Sequence, residues 1–121
     1  MYEYNCIVKR VVDGDTVDID IDCGFELWLQ NQRVRLSGID APETRTRDLE
    51  EKAEGYKTKE FVQRALPIGS KQTLICTQYN SSGKYGRIIG TFKVYQPQSD
   101  SWSDLSTVLL TEGLAKPYGK S

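Results

Sequence analysis

The clearest periodicity in the chain lies at residues 17–23, where Val17, Ile19, Ile21 and Cys23 alternate with Asp18, Asp20 and Asp22. Successive side chains of a strand point to opposite faces, so this stretch predicts a strand with one buried and one solvated face. Residues 4–12 are rich in β-branched and aromatic types and predict a strand before it. Asp13-Gly14-Asp15 between the two is a turn, because Asp-Gly tolerates positive φ. After a second turn at Cys23-Gly24, Phe25, Leu27 and Leu29 start a third strand, which Val34 and Leu36 continue with opposite parity. A parity switch around Gln30-Asn31 predicts a bulge or kink there.

A polar connector, Thr44 to Asp48, leads into a helical pattern over Leu49 to Leu66, with Ala53, Phe61, Val62, Ala65 and Leu66 on one side. Gly55 weakens the first turns and moves the expected start of ordered helix towards Tyr56. Pro67-Ile68-Gly69 stops the helix. Thr73 to Tyr79 predicts a fourth strand, Asn80-Ser81-Ser82-Gly83 a loop, and Arg87 to Tyr95 a fifth strand with Ile88, Phe92 and Val94 on one face. Gln96 to Ser103 reads as a polar loop. A short helix over Leu105 to Glu112 ends at Gly113 as its C′ glycine. The expected class is therefore mainly β (α+β): a five-stranded, partly open OB-type barrel, with a main helix after strand 3 and a short C-terminal helix. No internal repeat or linker divides residues 1–121, which read as one domain of a size that buries about two thirds of its unfolded surface.

Composition narrows the chemistry. There is no histidine, and Cys6, Cys23 and Cys76 are odd in number with no C-x-x-C spacing. That argues against zinc and removes histidine acid–base catalysis, leaving carboxylates, arginines, lysines, tyrosines or a metal. The cysteines read as buried strand residues of a reducing compartment. Met1 to Asn5 has neither a basic nor an apolar leader region, and no apolar run approaches the roughly 20 residues of a membrane span, so the expectation is a cytoplasmic protein, with a processed, secreted chain as the alternative; a monomer is expected. Sixteen basic and 17 acidic residues give a net charge of −1. Their distribution is uneven: Asp13 to Glu26 holds six acids and no base, whereas Lys52 to Lys71 and Lys84 to Lys93 lean basic. An acidic pole beside a basic groove permits salt-sensitive binding of nucleic acid.

The chemistry-bearing stretch is Val34-Arg35-Leu36-Ser37-Gly38-Ile39-Asp40-Ala41-Pro42-Glu43. It holds a guanidinium, a hard-metal ligand and a proton acceptor close together, with Pro42 fixing its own φ and biasing Ala41 to extended geometry. Asp15 can meet Asp40 if their strand ends are neighbours, and two carboxylates plus a backbone carbonyl form an oxygen-only site suited to Ca²⁺ or Mg²⁺. Asp18, Asp20 and Asp22 mimic the start of a calcium loop, but the glycine falls one position late and Leu29 occupies the place of the bidentate Glu. They belong to a solvated strand face. Lys84-Tyr85-Gly86-Arg87 is either an ordinary hairpin shoulder or the source of a second guanidinium for a phosphate, with Lys84 and Tyr85 as nucleotide contacts. Tyr118 either stacks on a base or packs.

These pieces in this order resemble the staphylococcal nuclease family. The resemblance rests on Val12-Asp13-Gly14-Asp15-Thr16, on Arg35 with Asp40-Ala41-Pro42-Glu43, on Lys84-Tyr85-Gly86-Arg87 and on Gly113-Leu114-Ala115-Lys116. It covers nearly the whole chain and implies an OB barrel with Ca²⁺-dependent endo- and exonuclease action on DNA and RNA, leaving 3′-phosphate ends. It further implies Asp15, Asp40 and the Ala41 carbonyl as calcium ligands, and Glu43 as the residue that orients or deprotonates the attacking water. Arg35 and Arg87 would neutralise the transition-state phosphate, while Lys84, Tyr85 and Tyr118 contact nucleotide. The chain departs from the family pattern at Ala41, where a hydroxyl residue is usual, and in a longer Asp15–Arg35 segment. The approach to Tyr118 is one residue shorter, and the net charge is acidic. The alternative is a catalytically silent OB module that binds nucleic acid or protein, or a purely structural domain. A silent module is expected to lose some of Asp15, Arg35, Asp40, Glu43 and Arg87, and all five are present.

Overall fold

The computed structural model describes residues 2–80 and 87–118, with Asn80 and Arg87 described by backbone alone. Strands β1 (Tyr2–Asp13), β2 (Thr16–Asp22) and β3 (Trp28–Leu36) form an antiparallel meander. A two-residue strand β4 (Ile39–Asp40) leads through a connector to helix α1 (Leu49–Ala65), and β5 (Lys71–Asn80) then pairs with β1. Strand β6 (Arg87–Gln96) pairs antiparallel with β5 and, at its start, parallel with the end of β3. That last pairing closes the order β3-β2-β1-β5-β6 into the five-stranded OB barrel. Strand β7 (Ser101–Asp104), helix α2 (Leu105–Thr111) and a short β8 (Lys116–Pro117), paired with β4, complete the described chain.

The period-2 pattern of β2 is realised directly. Val17, Ile19 and Ile21 are buried, while Asp18 and Asp20 face outward to ion pairs with Arg33 at 2.9 Å and Lys9 at 3.6 Å. Phe92, Leu36, Ile39 and Leu74 fill the barrel, and Val62 of α1 with Leu66 just after it, and Leu105 with Leu109 of α2, cap it. The parity switch in β3 is a true irregularity: the β2–β3 register slips between Ile19 and Ile21, and Asn31 takes φ 56° with its N–H donating to Asp20 Oδ1 at 2.9 Å. Gly113, at φ 71°, ends α2 as expected.

Several expectations change. Phe25 and Leu27 do not belong to the third strand. Phe25 and Glu26 lie at φ 55° and 64° in the β2–β3 turn, Phe25 is 97% exposed, and β3 begins only at Trp28. The turn is tied by the Gly24 N–H to Asp22 Oδ1, so its apolar residues point to solvent although their spacing mimics a strand. Cys23 is correspondingly exposed and Cys76 half-buried; only Cys6 is a buried strand cysteine. The stretch from Gln96 to Ser103 includes the start of β7, which pairs with β6 from Lys93↔Asp104 to Gln96↔Ser101. Finally, α1 is helical from Leu49, capped by Asp48, whose Oδ1 accepts from Glu50 and Glu51 N–H at 3.0 and 3.3 Å. Its buried stripe is Gly55, Thr58 and Val62, and Ala53 faces solvent.

Gly55 is needed for contact, not tolerated as a defect. A Cβ there would lie 2.6 Å from the Glu43 carbonyl oxygen and 2.8 Å from that of Pro42. Helix α1 therefore packs backbone-close against the Pro42-Glu43 segment. Next along the stripe, the Thr58 hydroxyl donates to the Leu114 carbonyl at 2.6 Å, and its methyl sits against Gly14. One helical face thus braces three separate loops.

Candidate active site

Those three loops carry Asp15, Glu43 and the approach to Tyr118. Asp13 and Thr16 are register partners in the β1–β2 hairpin, which leaves Gly14 and Asp15 as its two-residue turn. Thr16 is in turn opposite Arg35 on β3, so Asp15 is delivered beside the guanidinium. The Leu36 N–H donates to the Asp15 carbonyl at 2.8 Å and fixes the turn to β3. Beyond Leu36 the chain reverses through Gly38 at φ 75°, and β4 brings Asp40 back to the same guanidinium.

Arg35 Nη1 lies 3.0 Å from Asp15 Oδ2 and Nη2 lies 3.5 Å from Asp40 Oδ1. Asp15 is tightly oriented: Oδ1 accepts from the Thr16 hydroxyl at 3.0 Å, and Oδ2 also accepts from the Ala41 N–H at 3.2 Å. The Asp40 carboxylate makes only the long Arg35 contact among the described residues, and its side chain is half exposed. Arg35 Nη1 is buried, and although it is close to Asp15 no acceptor among the described residues lies in line with its hydrogens. Over the guanidinium sits the Tyr118 ring, its centroid 5.1 Å from the Arg35 Cζ. Tyr118 reaches this place because β8 pairs with β4, Asp40 opposite Lys116, and the Tyr118 N–H donates to the Gly38 carbonyl at 3.0 Å. The shorter approach in sequence still delivers the ring.

Asp13, Asp15, Asp40, Ala41, Pro42, Glu43, Thr44 and Arg45 line one depression of about 290 Å³. Glu43 is exposed on it, and its N–H donates to Glu51 Oε2 of α1 at 3.3 Å. A larger groove of about 470 Å³ runs on between Asp40–Glu43, the α1 acids Glu50, Glu51 and Glu54, and Gly113–Lys116. Thr44, buried, donates to Asp13 Oδ1 at 2.7 Å and pins the connector to the β1–β2 hairpin. Thr44, Thr58 and Gly55 hold the site but carry no sequence signal of their own, since their partners are distant in the chain.

Asp15, Arg35, Asp40, Ala41, Glu43 and Tyr118 are thus brought together. Arg87 opens β6 two residues before Ile89, the register partner of Arg35; its side chain, Lys84 and Tyr85 lie outside the described residues. The donors available to a cation are carboxylate and carbonyl oxygens, the set a hard ion prefers. Among the described residues no group of three or more carboxylate, thiol or imidazole side chains forms a ready cage. Asp15 and Asp40 converge on one positive charge, that of Arg35.

Residues 33–121 match the family described as staphylococcal nuclease homologue. Over 121 aligned residues the chain is 30% identical to Endonuclease YhcR of Bacillus subtilis (strain 168), an alignment covering 96% of this chain and 9% of that protein. It is 55% identical over 38 residues to Thermonuclease of Staphylococcus intermedius, covering 31% of this chain and 19% of that protein. The chain thus spans less than a fifth of the length of either curated relative.

Proposed function

The chain belongs to the staphylococcal nuclease homologue family, and from that premise we propose that it is a Ca²⁺-dependent nuclease hydrolysing phosphodiester bonds of DNA and RNA. The observation that carries this reading is Arg35: a guanidinium flanked by two carboxylates, its side chain still about a quarter exposed. An arginine so placed presents N–H donors to a further oxyanion, and its planar fork suits phosphate. The two relatives, named an endonuclease and a thermonuclease, support the same substrate class.

In this reading Asp15, Asp40 and the Ala41 carbonyl would hold calcium, which would supply positive charge to polarise a phosphoryl oxygen. Arg35 and Arg87 donate to the phosphate oxygens on which charge builds, and they do so more strongly in the transition state than in the ground state. Glu43, exposed on the depression, accepts a proton from the attacking water, the role a histidine would otherwise fill. The P–O5′ bond breaks, its electron pair leaves on the 5′ oxygen, and that oxygen is protonated from solvent. Both endo- and exonucleolytic cleavage then leave 3′-phosphate ends. Tyr118 stacks beside Arg35 against the nucleotide, and Lys84 and Tyr85 contact its phosphate or sugar.

Incubation with plasmid DNA and with RNA in Ca²⁺ is expected to give fragments, and EDTA to stop their formation. Glu43→Gln should lower turnover by about 10²–10³-fold without moving the melting temperature, the scale on which a single positioned catalytic group acts. Absence of cleavage across a calcium and pH series, with binding retained, would turn the reading to a silent nucleic-acid-binding module. Near-native turnover in Glu43→Gln would remove Glu43 from its role.

A further inference from the structure

A nuclease site lined by acids must still attract a polyanion. The depression holds Asp13, Asp15, Asp40 and Glu43, and the groove beyond it adds the α1 acids, with Lys116 the only base among the described residues along that groove. Arg35, flanked by Asp15 and Asp40, is left for the reacting phosphate alone. A phosphate chain is therefore repelled from the α1 side and needs cations on another rim.

That rim is the connector. Arg45 lines the depression, and Arg47 follows two residues later; both are exposed. Among the described residues neither forms an ion pair within 4.0 Å, although carboxylates line the same depression as Arg45. The residues alternating with them are anchored. Thr44 is tied to Asp13 at 2.7 Å, Thr46 Oγ1 accepts from the Asp48 N–H at 3.2 Å, and Asp48 caps α1. The segment is thus held at both ends, by the Thr44 tie and by the Asp48 cap, while the arginines between them are exposed. Two uncommitted guanidinia on a pinned segment lose less freedom on binding than the same groups on a free loop.

We propose that Arg45 and Arg47 bind the phosphates next to the scissile one, so that this rim selects a polynucleotide strand over a short phosphodiester. The inference rests on the nuclease reading for the identity of the substrate. Arg35 and Tyr118 meet the reacting nucleotide on the β4–β8 side of Asp40, and the strand leaves past Asp13 and Thr44 over Arg45. Charge, not base identity, sets the contact, so it is shared by single-stranded DNA and RNA.

The test uses the whole chain in EDTA, with labelled single-stranded DNA of two and of 12 nucleotides followed by fluorescence anisotropy over a salt series. The double variant Arg45→Ala, Arg47→Ala is expected to bind the longer strand at least about tenfold more weakly. Its loss for the dinucleotide should be much smaller. The slope of log K against log salt for the longer strand should flatten by about 0.7 for each phosphate no longer neutralised. Arg64→Ala, which removes an exposed arginine paired with Glu60 on α1, serves as the control and should match the parent chain. Equal losses at both lengths, an unchanged salt slope, or no binding by the parent chain overturns the proposal. Cleavage by the parent chain in Ca²⁺ is scored separately: cleavage with unaltered binding by the double variant defeats only the arginine rim. Length-dependent loss without any cleavage defeats only the nuclease reading.

Discussion

Arg35 joins three parts of the chain at one guanidinium: Asp15 from the β1–β2 turn, Asp40 from β4 and Tyr118 from the C-terminal segment. An exposed ion pair contributes little to stability, but this group is only about a quarter exposed and Asp15 less so, and its main effect is to fix geometry. Cys6 shows the opposite situation, a titratable group with no site role. Burial in β1 pushes its thiol up to about 12, while an unfolded thiol titrates near 8.5. The folded state thus holds the proton more tightly. That contribution is complete below about pH 8.5 and is lost as pH rises towards 12. Urea unfolding midpoints should therefore fall between pH 8 and pH 10, and iodoacetamide at pH 8 should label Cys23 first and Cys6 only on unfolding. Mass spectrometry showing Cys6 labelled as fast as Cys23 in the native protein would refute the assigned burial.

At the scale of elements, α1 acts as a clamp. Gly55 lies on the Pro42-Glu43 backbone, while Thr58 lies on Leu114 and Gly14, so one stripe positions Glu43, the approach to Tyr118 and the turn holding Asp15. Gly55→Ala is the sharp test. Alanine favours an isolated helix over glycine by about 1 kcal/mol. Here, though, its Cβ would meet backbone atoms at 2.6–2.8 Å, which cannot rotate away. Overpacking of this kind costs about 1–3 kcal/mol, so the variant should be destabilised in urea and lose cleavage beyond its loss of folded protein. A stabilised variant with full activity would show that the helix and loop separate freely. The same residue marks what the sequence could disclose. Local pattern was legible: the β2 alternation, the Asp-Gly turn, the β3 bulge and the Gly113 stop each depend on neighbours in the chain. Gly55 reads as a helix defect because its partners, at 42 and 43, lie outside the helix. Phe25 and Leu27 carry strand spacing but are taken up by a left-handed turn, and Ser101–Asp104 is too polar and short to signal β7 before it pairs with Lys93–Gln96. Asp15, Arg35, Asp40 and Glu43 stood out by residue type and order, whereas the Thr44–Asp13 tie and the β4–β8 pairing under Tyr118 are purely tertiary.

For the molecule as a whole, the site is made of segments far apart in sequence that meet only when the barrel closes and α1 seats. Asp15 reaches Ala41 across 26 residues, and Asp40 meets Lys116 only through β8. In the unfolded chain these oxygens are scattered, so a cation held by Asp15, Asp40 and Ala41 binds the folded state alone. Linkage then fixes both the sign and the size of its effect. On the proposed calcium reading, Ca²⁺ at a hundred times its Kd should stabilise the fold by about 2.7 kcal/mol, which is several degrees of melting temperature for a chain of this size. Magnesium, smaller and strict about octahedral geometry, should do less at a site built from two carboxylates and a carbonyl. The shift should disappear in Asp40→Asn, since Asp40 is the carboxylate of the pair less engaged by the protein and more open to a ligand. Calorimetry in millimolar Ca²⁺, Mg²⁺ and EDTA reads this without any substrate. An unchanged melting temperature in Ca²⁺, or a full shift in Asp40→Asn, would mean that the paired carboxylates serve Arg35 and not a metal.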